Sequence, residues 1–309
     1  MKFINKTILV TGANGFIGRH LCKKLHLLGG NVIGLVRKVN KHHVVKQYAA
    51  DISDSSGIEK IVTRINPDIV IHLAAEKFNN SDDGYRNSYK TNLLGSINLI
   101  QSCQQIKNLK AFIYIGSCEE YGHQSSPFDE RLRESPVSSY GCSKLAVTQF
   151  LQSLSRSCDF PSFIIRPSVV YGPGQSNNMF IPSLINALIR GNKFDMTHGE
   201  QTRDFVYIDD MVEAIILSCK VNLLNGQIVN ISSGNFIDIK KLAIKTANLI
   251  SSSSTKLLNF GVKGYRESEV MNYYANNSLS CEILRWSPKV NLTDGLTSTI
   301  SHYLSLIHI

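Results

Sequence analysis

The chain has 309 residues, 43% hydrophobic and 18% charged, which supplies a large core and excludes a disordered composition. Its net charge is +9, but the basic residues are dispersed and no basic run is interleaved with aromatics, so anionic small molecules are expected as partners and nucleic acid is not. No apolar run approaches the roughly 18 to 20 residues that span a bilayer, and a cytoplasmic protein without membrane partners is expected. In chain order, Ile8-Leu9-Val10 reads as a buried strand, and 15–28 as a helix with Phe16, Ile17, Leu21, Leu25 and Leu28 at helical spacing. Strands are expected at 31–36, 69–73, 111–115 and 162–166, and helices at 58–65, 89–106 and 140–154. Apolar strands alternating with helices predict a doubly wound α/β fold, a parallel sheet covered on both faces, with ligands at the carboxyl ends of its strands. After residue 170 the rhythm breaks into Gly-, Pro- and Asn-rich loops at 171–178, a helix at 182–190, another at 209–221 and a serine patch at 251–254. The expected division is a sheet domain over 1–170 with 204–232 returning to it, and a smaller carboxyl-terminal lobe from 171–203 and 233–309.

Thr11-Gly12-Ala13-Asn14-Gly15-Phe16-Ile17-Gly18 lies between the first strand and the first helix. Glycines there allow a tight turn, close backbone approach to a pyrophosphate and close helix–strand packing, and the helix start supplies unpaired N–H groups. A Rossmann-type sheet binding a nicotinamide dinucleotide through Gly12, Asn14, Gly15, Phe16, Ile17 and Gly18 is therefore expected. The second strand ends in Val36-Arg37-Lys38 rather than in the acidic residue that bonds the ribose of NAD. Arg37 favours NADP, with NAD as the alternative, unless Arg37 and Lys38 are merely solvated charges. Asp51 and Ile52 are candidates for adenine contact, with a plain turn aspartate the competing reading. The seven cysteines are scattered with no Cys-x-x-Cys pair, so neither a disulfide framework nor a metal site is expected.

Tyr140 and Lys144 are four residues apart on a predicted helix, one turn apart on one face. A free phenol ionises near pH 10, too high for a proton acceptor at neutral pH, and a nearby ammonium lowers that value. Tyr140 can then exchange a proton with a substrate oxygen while hydride moves. Ser117, just past the fourth strand, is placed to bond the same oxygen. His72 lies on a buried strand and reads as a satisfied core histidine. Cys118 and Cys142 lack a base and read as small packing residues.

These motifs occur in a recognisable order: Thr11 to Gly18, Leu73-Ala74-Ala75, Asn92, Ser117 to Gly122, Tyr140 to Lys144, Arg166-Pro167, Tyr171 to Gly174, Arg203 to Asp210, and Leu284 to Pro288. Together they resemble the extended short-chain dehydrogenases/reductases, in the branch of sugar-nucleotide epimerases, dehydratases and reductases. The resemblance implies that Leu73, Ala74 and Ala75 line the cofactor and that Asn92 helps hold Lys144 through water. It implies a nucleoside-diphosphate sugar as substrate, with Arg203 on its phosphate, Arg266 in the same substrate-binding set, and Ser117, Cys118, Glu119 and Tyr140 around the sugar. The competing reading pairs Arg203 with Asp204 or Asp209 in a turn. A homodimer built on the helices at 89–106 and 140–154 is also implied.

Within that family, 4,6-dehydratases carry a Glu two positions after the catalytic Ser or Thr as base, often with an Asp between to assist loss of water. Glu119 matches the base and Cys118 replaces the Asp. The form Gly116-Ser117-Cys118-Glu119-Glu120-Tyr121-Gly122 is closer to reductases of 4-keto-6-deoxy sugar nucleotides, and Arg37 agrees because net reduction draws on NADPH. A 4-ketoreductase is the leading expectation, with a 4,6-dehydratase or a hexose epimerase as the alternatives. More remote are a dinucleotide sensor without catalysis and a reductase of a non-nucleotide ketone. Glu119 and Glu120 as a solvated or capping pair remain the plain reading.

Overall fold

The computed structural model describes residues 2–41, 43–76, 84–221 and 225–306. The first half runs β1 (Thr7–Thr11), α1 (Phe16–Leu27), β2 (Asn31–Val36), β3 (Lys46–Ala49), α2 (Ser55–Ile65), β4 (Ile69–His72) and α3 (Gly84–Ser88). A π-helical turn, Tyr89–Leu94, joins α3 to α4 (Gly95–Gln104), followed by β5 (Ala111–Ile115), a 3-10 turn at Cys118–Glu120, α5 (Ser139–Cys158) and β6 (Ser162–Pro167). The second half runs β7 (Val169–Tyr171), α6 (Phe180–Ile189), β8 (Phe194–Asp195), β9 (Thr202–Tyr207), α7 (Ile208–Ser218), β10 (Gln227–Ile231), β11 (Phe236–Asp238) and α8 (Ile239–Ile250). A 3-10 turn at Ser252–Leu257, β12 (Leu258–Asn259), β13 (Asn272–Tyr273), α9 (Ser278–Leu284) and α10 (Leu292–Ser305) complete it.

Seven parallel strands form the main sheet in the order β10-β6-β5-β4-β1-β2-β3. Alternate residues of each strand enter opposite cores: Ile8, Val10, Ile71, Ile113 and Ile165 on one face, Leu9, Val70, Phe112, Tyr114 and Ile164 on the other. This is the Rossmann-type doubly wound fold. The chain builds outward from β1 to β3 and then crosses back to β4, so a crevice opens at the carboxyl ends of β1 and β4.

A second sheet, β11-β9-β13 with β7 also paired to β9, is entered from the carboxyl end of β6, which β7 follows after one residue. Residues 204–207, expected to return to the main sheet, belong to β9 of this second sheet; α7 packs on α1 and β10 closes the main sheet's edge. The strand β3 escaped the hydrophobic pattern because it is an edge strand of sequence Lys-Gln-Tyr-Ala with no fully buried residue. The helix expected at 89–106 is interrupted because its first turn is π-helical, with Asn92 facing inward. Among the described residues no helix is long and apolar enough to cross a membrane.

Candidate active site

The glycine-rich turn has the shape a dinucleotide needs. Gly12 adopts φ +68°, and a Cβ there would stand 2.9 Å from the Ala74 amide nitrogen. A Cβ at Gly18 would overlap the Gly12 carbonyl and stand 2.8 Å from Ala13 Cα, so α1 can approach β1 this closely only with glycine. Gly15 is the N-cap of α1 and has no side chain, so the amides that begin with Phe16 and Ile17 carry no side-chain cap. Open amides and a backbone cradle at the crevice fit a pyrophosphate.

Asn14 is differently employed from the expectation. Its Nδ2 donates to Lys38 O at 2.8 Å and its Oδ1 accepts from Gln47 Nε2 at 2.7 Å, latching the loop after β2 onto the turn. Arg37 is 79% exposed, 3.9 Å from Glu76 Oε2. Asp51 Oδ1 accepts from the Ser53 amide at 2.9 Å and hydroxyl at 2.8 Å, bonds that hold its carboxyl below the usual range. Ile52 is buried and packs under Gly95. The Leu73 and Ala74 amides donate to Thr11 Oγ1 at 3.2 and 3.1 Å, and Ala75 is exposed at the crevice rim.

His72 is the satisfied core residue the strand pattern predicts. Ser96 Oγ donates to Asn92 O, so it must accept from His72 Nε2 at 2.8 Å; Nδ1 then accepts from Thr11 Oγ1 at 2.7 Å. That tautomer is neutral, and burial followed by the Lys144 charge pushes the ring down to about 3. Asn92 Oδ1 accepts from the Glu76 amide at 2.7 Å, and its Nδ2 donates to Glu76 O, Ser88 Oγ and Ser143 Oγ. It thus grips α5 at Ser143, the neighbour of Lys144.

Ser117, Tyr140 and Lys144 come together beyond the end of β5. Ser138 caps α5 by accepting from the Gly141 amide at 3.0 Å, which starts the helix one turn before Lys144. Lys144 is buried, donates to Ile115 O at 2.7 Å and stands 5.8 Å from the Tyr140 ring centroid. Burial lowers its ammonium to about 8, against an opposing pull from Glu120. The sequence-based expectation that Lys144 lowers the Tyr140 phenol is not met: burial, then the charges of Glu119 and Glu120, push that phenol up. Ser117 is the cap of the 3-10 turn, accepting from the Glu119 amide at 3.1 Å.

Glu119 is exposed and accepts from Ser138 Oγ at 2.8 Å, whereas Glu120 is fully buried against Arg166. The two are not equivalent: Glu119 is the solvent-facing one, and Glu120 is the capping one, its side chain accepting from the Ser117 amide in a capping box. Cys118 does not reach the site as a substrate contact. Its side chain is fully buried beside Tyr121, Phe128 and Ala275, its thiol donates to Arg166 O at 3.4 Å, and burial pushes that thiol up.

On the opposite wall, Arg203 pairs with neither Asp204 nor Asp209. It donates to Glu269 and to the carbonyls of Thr202, Val270 and Met271, and its guanidinium stands 5.4 Å from the Tyr273 ring centroid. Asp204 is buried and accepts from Ser233 instead. Tyr273 stands beside Ser117, and burial pushes its phenol well up. Arg266 is exposed in the loop leading to Glu269. Glu269 and Tyr273 escaped sequence reading, and of the Glu120 site the pairing with Arg166 did; its one signal is a second carboxylate in a motif that ends against a buried strand arginine.

The profile of the NAD dependent epimerase/dehydratase family matches residues 8–232, from β1 through the end of β10. The chain belongs to this family. It is 32% identical over 278 residues to the dTDP-D-glucose 4,6-dehydratase of Dictyostelium discoideum, a match covering 80% of this chain and 62% of that relative. It superposes on the UDP-glucose 4-epimerase of Thermotoga maritima, solved with UDP-glucose, with TM-score 0.89, 27% identity and coverage of 97% and 99%. MoeE5, solved with UDP-glucose and NAD, superposes with TM-score 0.87, 25% identity and coverage of 97% and 99%. The chain is thus an enzyme of the NAD-dependent epimerase/dehydratase family, an extended short-chain dehydrogenase/reductase.

Proposed function

We propose that this family member is a 4-ketoreductase of a nucleoside-diphosphate 4-keto-6-deoxyhexose. The observation that carries this reading is the burial of Cys118 beside an otherwise complete Ser117, Tyr140 and Lys144 set. At the position where family dehydratases place an Asp to expel water, this chain has a thiol with no access to a sugar.

The turn Gly12 to Gly18, the edge Leu73 to Ala75, Tyr140 and Lys144 hold the dinucleotide, which when bound supplies the hydride. Ser117 Oγ orients the sugar carbonyl. Tyr140 donates its phenolic proton to the oxygen as the carbonyl is reduced, and a phenol pushed up by its surroundings is held in the protonated form that donation needs. Lys144 supplies positive charge next to the phenolate that results. Arg203, with Arg266, takes the diphosphate, exchanging the Glu269 carboxylate for another anion. The exposed Arg37 supports NADP over NAD.

The discontinuous carboxyl-terminal lobe is the substrate side of this arrangement. Exposed Tyr85, Tyr89 and Leu94 near the start of the expected helix pair support a homodimer, and free cysteines throughout suit the cytoplasm.

Glu119 supports a second reading, a 4,6-dehydratase: it is exposed, stands at the base position and adds to the charge felt by Tyr140. Incubation with a panel of sugar nucleotides separates the two. The reductase consumes NADPH only when a 4-keto sugar is supplied; loss of water from an NDP-hexose without added cofactor would establish the dehydratase instead.

A further inference from the structure

Glu120 is fully buried, and the chemistry proposed above does not use it. A buried carboxylate is costly unless it is paired and hydrogen-bonded, and its partners come from three parts of the fold. Oε1 accepts from the Ser117 amide at 2.9 Å. Oε2 accepts from Arg166 Nε of β6 at 2.8 Å and from Thr148 Oγ1 of α5 at 2.9 Å. Arg166 is itself fully buried, and its Nη2 bridges Glu120 and Glu134, 2.7 Å from each. Thr148 lies one turn beyond Lys144 on the same helix face. The carboxylate therefore ties the backbone bearing the catalytic hydroxyl to the helix bearing Tyr140 and Lys144. Gly116 leaves it room: a Cβ there would overlap Glu120 Oε1, with Ile165 O the next neighbour at 3.4 Å.

We propose that Glu120 is a positioning residue for proton and hydride transfer: its carboxylate, clamped by Arg166 and Thr148, holds Ser117 in register with Tyr140 and Lys144. The proposal rests on the reading of those three as the reacting groups. The charged and titratable groups facing the carboxylate are Arg166 from β6, Glu134 across that guanidinium, Tyr114 from β5, Cys118 in the turn, and Tyr140 and Lys144 from α5. Its negative charge acts on both helix residues in one direction, raising the phenol and opposing the fall of the ammonium.

The test compares the full-length wild type with Glu120→Gln, Gly116→Ala and Tyr140→Phe in pH profiles of kcat and KM. The substrate is whichever sugar nucleotide in the panel turns over fastest, by reduction or by dehydration. Glu120→Gln is expected to lower kcat at least about tenfold with KM changed less than about threefold. It also moves the pH limb set by Tyr140 to lower pH, because a neighbouring negative charge is gone. Gly116→Ala displaces the carboxylate but keeps its charge, so kcat falls while that limb stays; this variant decides the matter if Glu120→Gln does not fold. Both variants within about twofold of wild-type kcat, or an unmoved limb in folded Glu120→Gln, overturn the positioning role. Undiminished turnover in Tyr140→Phe instead overturns the reading of the site on which it rests.

Discussion

Lys144 is buried with its ammonium on Ile115 O, and its proton is held at about 8 rather than at the ordinary 10.5. Above pH 10.5 the residue is neutral in both folded and unfolded chains. As pH falls from there to 8 the unfolded chain takes up the proton first, so stability falls, and the full penalty of about 3 kcal/mol stays in force below 8. Lys144→Met is therefore expected to melt at a higher temperature than wild type at pH 7, with the gain shrinking toward pH 10, while turnover is lost. Thermal melts of both proteins across that range check it; a variant that melts lower at pH 7 contradicts the assignment. At this scale Ser117, Tyr140 and Lys144 were legible because their chemistry demands fixed residue types at fixed spacing. Tyr273 and Glu269 were not, because long-range folding alone brings them to Ser117 and Arg203.

At the scale of elements, the turn into α1 and the strands on both sides of the sheet were readable, since period and glycine placement are local properties. The edge strand β3 and the π-helical turn at Asn92 were not: one lacks apolar alternation, and the other departs from 3.6-residue spacing where Asn92 turns in to bond Glu76 and Ser143. The contact of α1 with β1 gives a direct test. Gly18→Ala places a methyl on the Gly12 carbonyl, so α1 must move outward. The expected cost is about 1–3 kcal/mol of stability in urea unfolding, together with weakened NADPH binding followed by nucleotide fluorescence. Unchanged affinity for NADPH would mean that the turn does not form the cofactor site.

At the scale of the molecule, the crevice is closed by groups from both parts of the chain. Ser117 from the main sheet meets Tyr273 of the second sheet, and Arg203 of β9 holds Glu269. A nucleoside diphosphate that displaces Glu269 joins the two parts, so it is expected to stabilise the folded state by about 2.7 kcal/mol at a hundred times its Kd. If Arg203 takes the diphosphate as proposed, replacing it with Met makes the same thermal shift require higher ligand concentration. Thermal melts titrated with dTDP, UDP, GDP and CDP read this out, and if none of them raises the melting temperature a non-nucleotide ketone becomes the better substrate class.

The fate of a labelled hydride tests the whole account most directly. NADPH deuterated at its transferable position is incubated with the protein and an NDP-4-keto-6-deoxyhexose, and the sugar product is examined by mass spectrometry and NMR. The account predicts one deuterium at C4 of a 6-deoxyhexose, with NADPH consumed in equal amount, and loss of that transfer by about a hundredfold or more in Tyr140→Phe. An unlabelled product, or a dehydrated sugar formed without NADPH consumption, would contradict it.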